Sequence, residues 1–211
     1  ANTNPFPWSE ADAMERKYPM GVIHGRFQVP HLDHMRYLLA GKARCEHLVV
    51  GVTNPDPLLT HAEATDPERG KPASNPLTFF ERQALLRAAL READVPWQEF
   101  SIVPLPIGRP ELYGHYVPLD AVFFLTIYDA WGRAKKERFE AQGLSVEVLW
   151  ERPPEAKGIS GCQLREAMAR GGDWHSLTTP AVADMLEEWG IPERVRNMGD
   201  EDGQGDWVSS G

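Results

Sequence analysis

Residues 20–39 read MGVIHGRFQVPHLDHMRYLL, and their spacing decides the fold. The apolar run from Met20 to Ile23 predicts a short buried strand, which Gly25 breaks, and Pro30 stands near the start of the next element. From Leu32 the period changes: Met35, Leu38 and Leu39 fall at i, i+3 and i+4, one face of a helix. The stretch is therefore a strand, a glycine-containing loop and a helix that opens with two histidines. The first N–H groups of such a helix have no partner within it, and the macrodipole adds partial positive charge there. Phosphate binds well at such a place. His31 and His34, three apart, project from one side of the first turn toward whatever the loop holds.

Outward from this stretch the same alternation repeats. Leu48 to Val52 is almost continuously apolar, as in a parallel strand covered on both faces. The turn at Thr53 and Asn54 marks its carboxyl end, where open parallel sheets bind ligands. Residues 54–76 carry Pro, Asp and Thr without period, and read either as a gating loop or as a floppy insertion. A helix follows to about Ala93, with Leu77, Phe80, Ala84 and Ala88 available for its inner face. Arg82 on it can reach phosphate or pair with a neighbouring carboxylate. Further strands are expected at 99–105, 119–126 and 146–150, with a charged helix from Trp131 to Gln142 closed by Gly143. Ser160 is a candidate N-cap for another helix, and Val182, Met185, Leu186 and Trp189 form the apolar stripe of the last.

The fold class is α/β: a Rossmann-like parallel sheet of five strands with helices on both faces and a small C-terminal helical appendage. The expected organisation is an N-terminal arm over 1–18 and the main domain over 19–157. A helical part of the same domain follows over 158–196, then a mobile acidic tail over 197–211. The 211 residues carry a net charge of −9, which argues against a nucleic-acid surface and requires any polyphosphate site to gather positive charge locally. Cys45 and Cys162 lack metal-ligand spacing. No apolar run is long enough to cross a membrane, and the arm has no signal-peptide core, so the expected location is cytoplasmic.

Gly-Arg-Phe-Gln at 25–28, Pro30-His31 and the second histidine at 34 together resemble the HxGH nucleotidyltransferases, most closely the archaeal-type nicotinamide-mononucleotide adenylyltransferases. Ile159-Ser160-Gly161-Cys162-Gln163-Leu164-Arg165 resembles the second phosphate motif of the same family. The stretches 75–82, 150–155 and 191–195 extend the likeness across residues 20 to about 197. The resemblance implies transfer of AMP from ATP to nicotinamide mononucleotide or a related phosphate, a step of NAD biosynthesis, with release of pyrophosphate. It implies His31, His34 and Arg165 as catalytic residues. Gly25, Arg26, Phe27 and Gln28 would cradle the nucleotide with Asp33, Ser160, Gly161 and Cys162. Thr53, Asn54, Arg82, Tyr113 and Arg152 would bind the acceptor, Tyr113 by stacking on its ring. Mg²⁺ would be bound through the phosphates rather than by protein side chains. The expected partners are a nucleoside triphosphate and a small phosphate-bearing acceptor, with neither nucleic acid nor membrane; a homo-oligomer is compatible with the sequence.

Three positions depart from the family pattern. Asp33 stands where the family has glycine between the histidines, Cys162 replaces a threonine, and residues 125–129 lack the usual loop. A carboxylate at 33 narrows the space beside the helix start or accepts hydrogen bonds from a different base or sugar. Two other readings therefore stand beside adenylyl transfer. One is a CTP-dependent cytidylyltransferase acting on a phosphate- or phosphonate-bearing small molecule. The other is a catalytically lapsed nucleotide-binding regulator.

Overall fold

The computed structural model describes residues 16–59 and 70–204. Its centre is a five-stranded, wholly parallel sheet in the order β3-β2-β1-β4-β5. The strands are β1 (Tyr18–Gly25), β2 (Cys45–Thr53), β3 (Phe100–Leu105), β4 (Val122–Ile127) and β5 (Ser145–Glu151). Helices α1 (Leu32–Lys42) and α2 (Phe79–Glu92) connect the first three strands, and α3 (Ala130–Ala141) connects the last two. The chain ends in α4 (Gly161–Ala169), α5 (Pro180–Glu188) and α6 (Ile191–Gln204).

Because successive strand residues face opposite ways, the sheet separates two cores. Ile23, Val50 and Phe124 face Leu38 of α1, Leu85 of α2 and Leu164 of α4, with α5 and α6 adding Leu186 and Ile191. Val22, Val49 and Phe123 face Phe139 of α3 and Tyr113. The C-terminal helices thus share the α1–α2 core rather than standing apart from it. Each buried aliphatic side chain contributes on the order of 1.5–3 kcal/mol, and both sheet faces are covered, as the unbroken apolar strands require.

Sheet order reverses between β1 and β4, and their ladder is short: only Gly21↔Val122 and Val22↔Phe123 pair, whereas β1 and β2 pair at seven positions. Beyond Val22 the strands part, and a crevice opens at their carboxyl ends. Tyr37 of α1 fills its base. The hydroxyl donates to Phe124 O at 2.6 Å and accepts from the His24 backbone N–H. Two backbone groups that the ladder no longer pairs are satisfied in this way.

Several expectations shift by a turn or more. On α2 the expected Ala84 is buried together with Leu85, Leu86, Ala89 and Leu90, and Leu77 before the helix is buried too, while Phe80 is 69% exposed. The capping box of Thr78 and Glu81 starts this helix later than the apolar pattern suggests and so rotates its inner face. The first part of the tail expected from 197 falls within α6, which runs to Gln204. The arm over 1–15, the middle of the proposed gating segment (60–69) and the terminal residues 205–211 lie outside the described residues. No helix among the described residues is long and apolar enough to cross a membrane.

Candidate active site

A cavity of about 320 Å³ lies at the carboxyl ends of β1 and β2, walled by the loop after β3 and by α3, the edge at which open α/β sheets hold ligands. The loop after β1 forms its floor. A Cβ on Gly25 would stand 2.9 Å from the Phe27 ring, so the chain turns there only without a side chain. Phe27 adopts φ 53° and is buried, a left-handed conformation that the surrounding packing must hold. Gln28 fixes the loop to the lead-in of α2: its Nε2 donates to Leu77 O at 2.8 Å and its Oε1 accepts from Leu77 N at 2.9 Å. Thr178 Oγ1 donates to Pro30 O at 2.8 Å from the other side.

His31 ends the loop and caps α1, its Nδ1 accepting the His34 N–H at 3.3 Å. The two imidazoles stack with centroids 3.6 Å apart, and Phe27 meets His34 edge-on at 4.9 Å. Burial pushes His31 down to about 4, Asp33 opposing the shift and Arg165 adding to it. Burial lowers His34 well below the ordinary histidine value, helped by His31 and then Arg26. Both rings are therefore neutral near pH 7, and His34 Nδ1 is buried without a partner.

Helix α4 meets this arrangement head-on. Ser160 and Gln163 form a reciprocal capping box, which spends the Ser160 hydroxyl on the helix. Gly161 lies so close that a Cβ there would approach Gln28 O to 2.7 Å. Arg165, one turn on and buried, donates through Nη1 to that same Gln28 carbonyl. The two helix starts thus converge across one loop.

Of the residues read from the sequence, Gly25, Arg26, Phe27, Gln28, His34, Thr53, Asn54 and Gly161 line the cavity. His31 stands behind His34, and Arg165 behind Gln28. Six others do not line it, each for a physical reason. Arg82 is 1% exposed and engaged by backbone carbonyls: Nη1 donates to Arg26 O and Thr53 O, Nη2 to Asn54 O and Nε to Thr78 O. It holds the cavity wall in place and has no surface to offer an acceptor. Tyr113 is buried against Phe139 and donates to Ile107 O at 2.7 Å, so it supports the cavity rim and cannot stack on a ligand ring. Asp33 pairs with Arg36 and turns its other oxygen toward Gly158, away from the cavity. Cys162 is exposed and bonds Glu166, Ser160 caps its helix, and Arg152 lies exposed over Trp150.

The opposite wall had no counterpart in the sequence reading. It consists of His24 from β1, Ile107 and Gly108 after β3, and Trp131, Lys135 and Arg138 of α3. A histidine at the carboxyl end of an apolar strand, and an aromatic and two cations at i, i+4 and i+7, were the available signals. A hard divalent cation requires oxygen ligands, yet the cavity lining contains no Asp or Glu, and the described residues hold no cluster of three potential ligands. The basic lining fits a cation only when phosphates bring it.

No family model matches the chain. It is 53% identical over 176 residues to phosphonoformate cytidylyltransferase of Streptomyces viridochromogenes, an overlap covering 83% of this chain and 95% of that one. It is 30% identical over 185 residues to nicotinamide-nucleotide adenylyltransferase of Methanothrix thermoacetophila, covering 86% and 97%. Among solved structures it resembles a bifunctional NMN adenylyltransferase/ADP ribose pyrophosphatase from Francisella tularensis, with a TM-score of 0.64 at 13% identity. That alignment covers 89% of this chain and 54% of the longer protein, and the likeness is one of fold.

Proposed function

The chain belongs to the nucleotidyltransferase superfamily that includes the archaeal nicotinamide-nucleotide adenylyltransferases, and on that premise we propose that it transfers a cytidylyl group from CTP to a small phosphonate. The observation that carries this choice is 53% identity across nearly the whole of a phosphonoformate cytidylyltransferase, against 30% to an archaeal adenylyltransferase. The site supports it. Its lining carries Arg26, Lys135 and Arg138 and no carboxylate, which suits two anionic substrates. Tyr113, the residue expected to stack on a nicotinamide ring, is committed to the core.

In the reaction a phosphonate oxygen attacks the α-phosphorus of CTP. The new P–O bond forms as the bond to the bridging oxygen breaks, and pyrophosphate leaves with that electron pair. The phosphonate arrives as an anion, so no proton need be removed from the nucleophile. The protein therefore contributes positioning and charge stabilisation. His34 offers a neutral ring nitrogen to the phosphates, and Arg26 supplies charge from the loop. The N-terminal N–H groups of α4 would meet the same chain of phosphates, and Arg165, bonded to the Gln28 carbonyl behind the loop, would add its charge from the second layer. A divalent ion chelated by the triphosphate would offset charge on the departing oxygens.

A pyrophosphate-release panel tests this by crossing ATP, CTP, GTP and UTP with phosphonoformate, methylphosphonate and nicotinamide mononucleotide. Turnover is expected with CTP and the phosphonates. Turnover confined to ATP and nicotinamide mononucleotide would restore adenylyl transfer, and silence across the panel would favour the regulator.

A further inference from the structure

Three close approaches seat the start of α4, and glycine makes two of them possible. Gly161 sits on Gln28 O and Arg165 donates to the same carbonyl, so the loop after β1 fixes one side of the helix start. Helix α1 fixes the other. A Cβ built on Gly158, in the segment that leads from β5 to α4, would overlap Asp33 Oδ2 and stand 2.8 Å from its Cγ. The three atoms nearest to that Cβ all belong to Asp33, and the φ of Gly158 lies outside the left-handed region. The backbone there would accept an alanine, and the Asp33 carboxylate is what keeps a side chain out. Asp33 is itself held in place. One oxygen pairs with Arg36, and the other is buried against Gly158 without a hydrogen-bond partner. A buried carboxylate oxygen in that state is destabilising, so what this side chain supplies at the seam is bulk. The seam matters because Asp33 shares the first turn of α1 with His34, and Gly158 leads through the cap Ser160 to Gly161, which lines the cavity.

We propose that Asp33 is a positioning residue: its carboxylate is the stop against which Gly158 rests, and this contact sets the distance between the α1 and α4 starts. The inference rests on the nucleotidyltransferase reading above for phosphates lying between those helices, and adds how the second helix is held at its distance from the first. Asp33 acts through Gly158 and touches no phosphate. With the carboxylate gone, the α4 start keeps its contacts with Gln28 and loses its stop on α1. With a methyl added at 158, the carboxylate pushes the segment outward and the first N–H groups of α4 move with it. A displacement of about 1 Å is enough to degrade a site that works by positioning. The two changes made together should offset one another, because the methyl occupies space that the carboxylate vacates.

A double-substitution cycle tests this, read by calorimetric titration with inorganic tripolyphosphate and Mg²⁺ and with no base, sugar or acceptor present. Gly158→Ala is expected to weaken binding by about 10-fold, and adding Asp33→Gly to recover most of that loss, a coupling of the size that contacting residues show. Asp33→Ala and Asp33→Asn remove the same charge, so their comparison isolates shape. The Asn variant should bind tripolyphosphate about 5-fold more tightly than the Ala variant. That pair carries the test should Gly158→Ala fail to fold. A melting temperature is taken for each variant, since a purely structural contact would move the melts and leave the affinities alike. Additive losses in the cycle, parental affinity in Gly158→Ala, or equal affinities in the Asn and Ala variants would overturn the stop. So would a parent protein that does not bind tripolyphosphate. Coupled losses in a protein without CTP turnover would overturn the cytidylyl reading and leave the stop standing; CTP turnover with additive losses would do the reverse.

Discussion

His34 occupies the cavity wall with one nitrogen buried and unbonded, held between the rings of His31 and Phe27. A side chain carrying an unsatisfied nitrogen adds little to stability, because its desolvation offsets its packing. His34→Ala is therefore expected to lower turnover by ~100-fold, the usual loss for one charge-stabilising donor, with little change in melting temperature. Near-normal turnover would remove His34 from the mechanism. Asp33 shows what a sequence position alone conceals. Its place between the two histidines points to a contact with base or ribose, but a helix advances 100° per residue, and one position before His34 the side chain faces Arg36 and Gly158. The departure from the family's glycine is accommodated outside the cavity.

At the scale of elements, Arg82 joins α2 to the loops after β1 and β2, with donors to Arg26, Thr53, Asn54 and Thr78 carbonyls. Arg82→Met preserves much of the volume and removes every donor. The expected cost is roughly 3 kcal/mol or more, a fall in melting temperature of about 10 °C for a chain of this length. A melt within about 2 °C of the parent protein would contradict the clamp. The strands and the first helix were legible in the sequence because period and turn residues act locally, as at Met35, Leu38 and Leu39. The half of the cavity built by the two helix starts was legible through its motifs at 25–34 and 159–165. The α3 half was not, since His24 and Lys135 are brought together only by the β1–β4 crossing, which no local spacing encodes. Arg82 and Tyr113 were assigned to the acceptor by their place in a motif. Burial shows them to be supports for residues that do line the cavity, and burial depends on tertiary packing.

For the whole molecule, the neutral buried histidines make stability depend on pH. His31 is pushed down to about 4 in the folded chain from an ordinary 6.5, so between those values the unfolded chain binds the proton and the folded one does not. The contribution is complete above about pH 6.5, declines as pH falls, and is lost near pH 4, about 3 kcal/mol in all. His24 and His34 are lowered too and act with the same sign. Urea midpoints measured from pH 7.5 down to 4.5 should fall steadily, and less steeply in His31→Asn, which keeps an N-cap acceptor and loses the titrating ring. An unchanged slope would show that His31 titrates normally. One further consequence follows from Tyr37, whose hydroxyl bridges the parted strands from the middle of α1. The same helix begins at the two imidazoles, so the gape of the crevice and the seating of those rings are geared together. Whatever parts β1 from β4 works against both of those hydrogen bonds, and through them against the helix that carries the imidazoles.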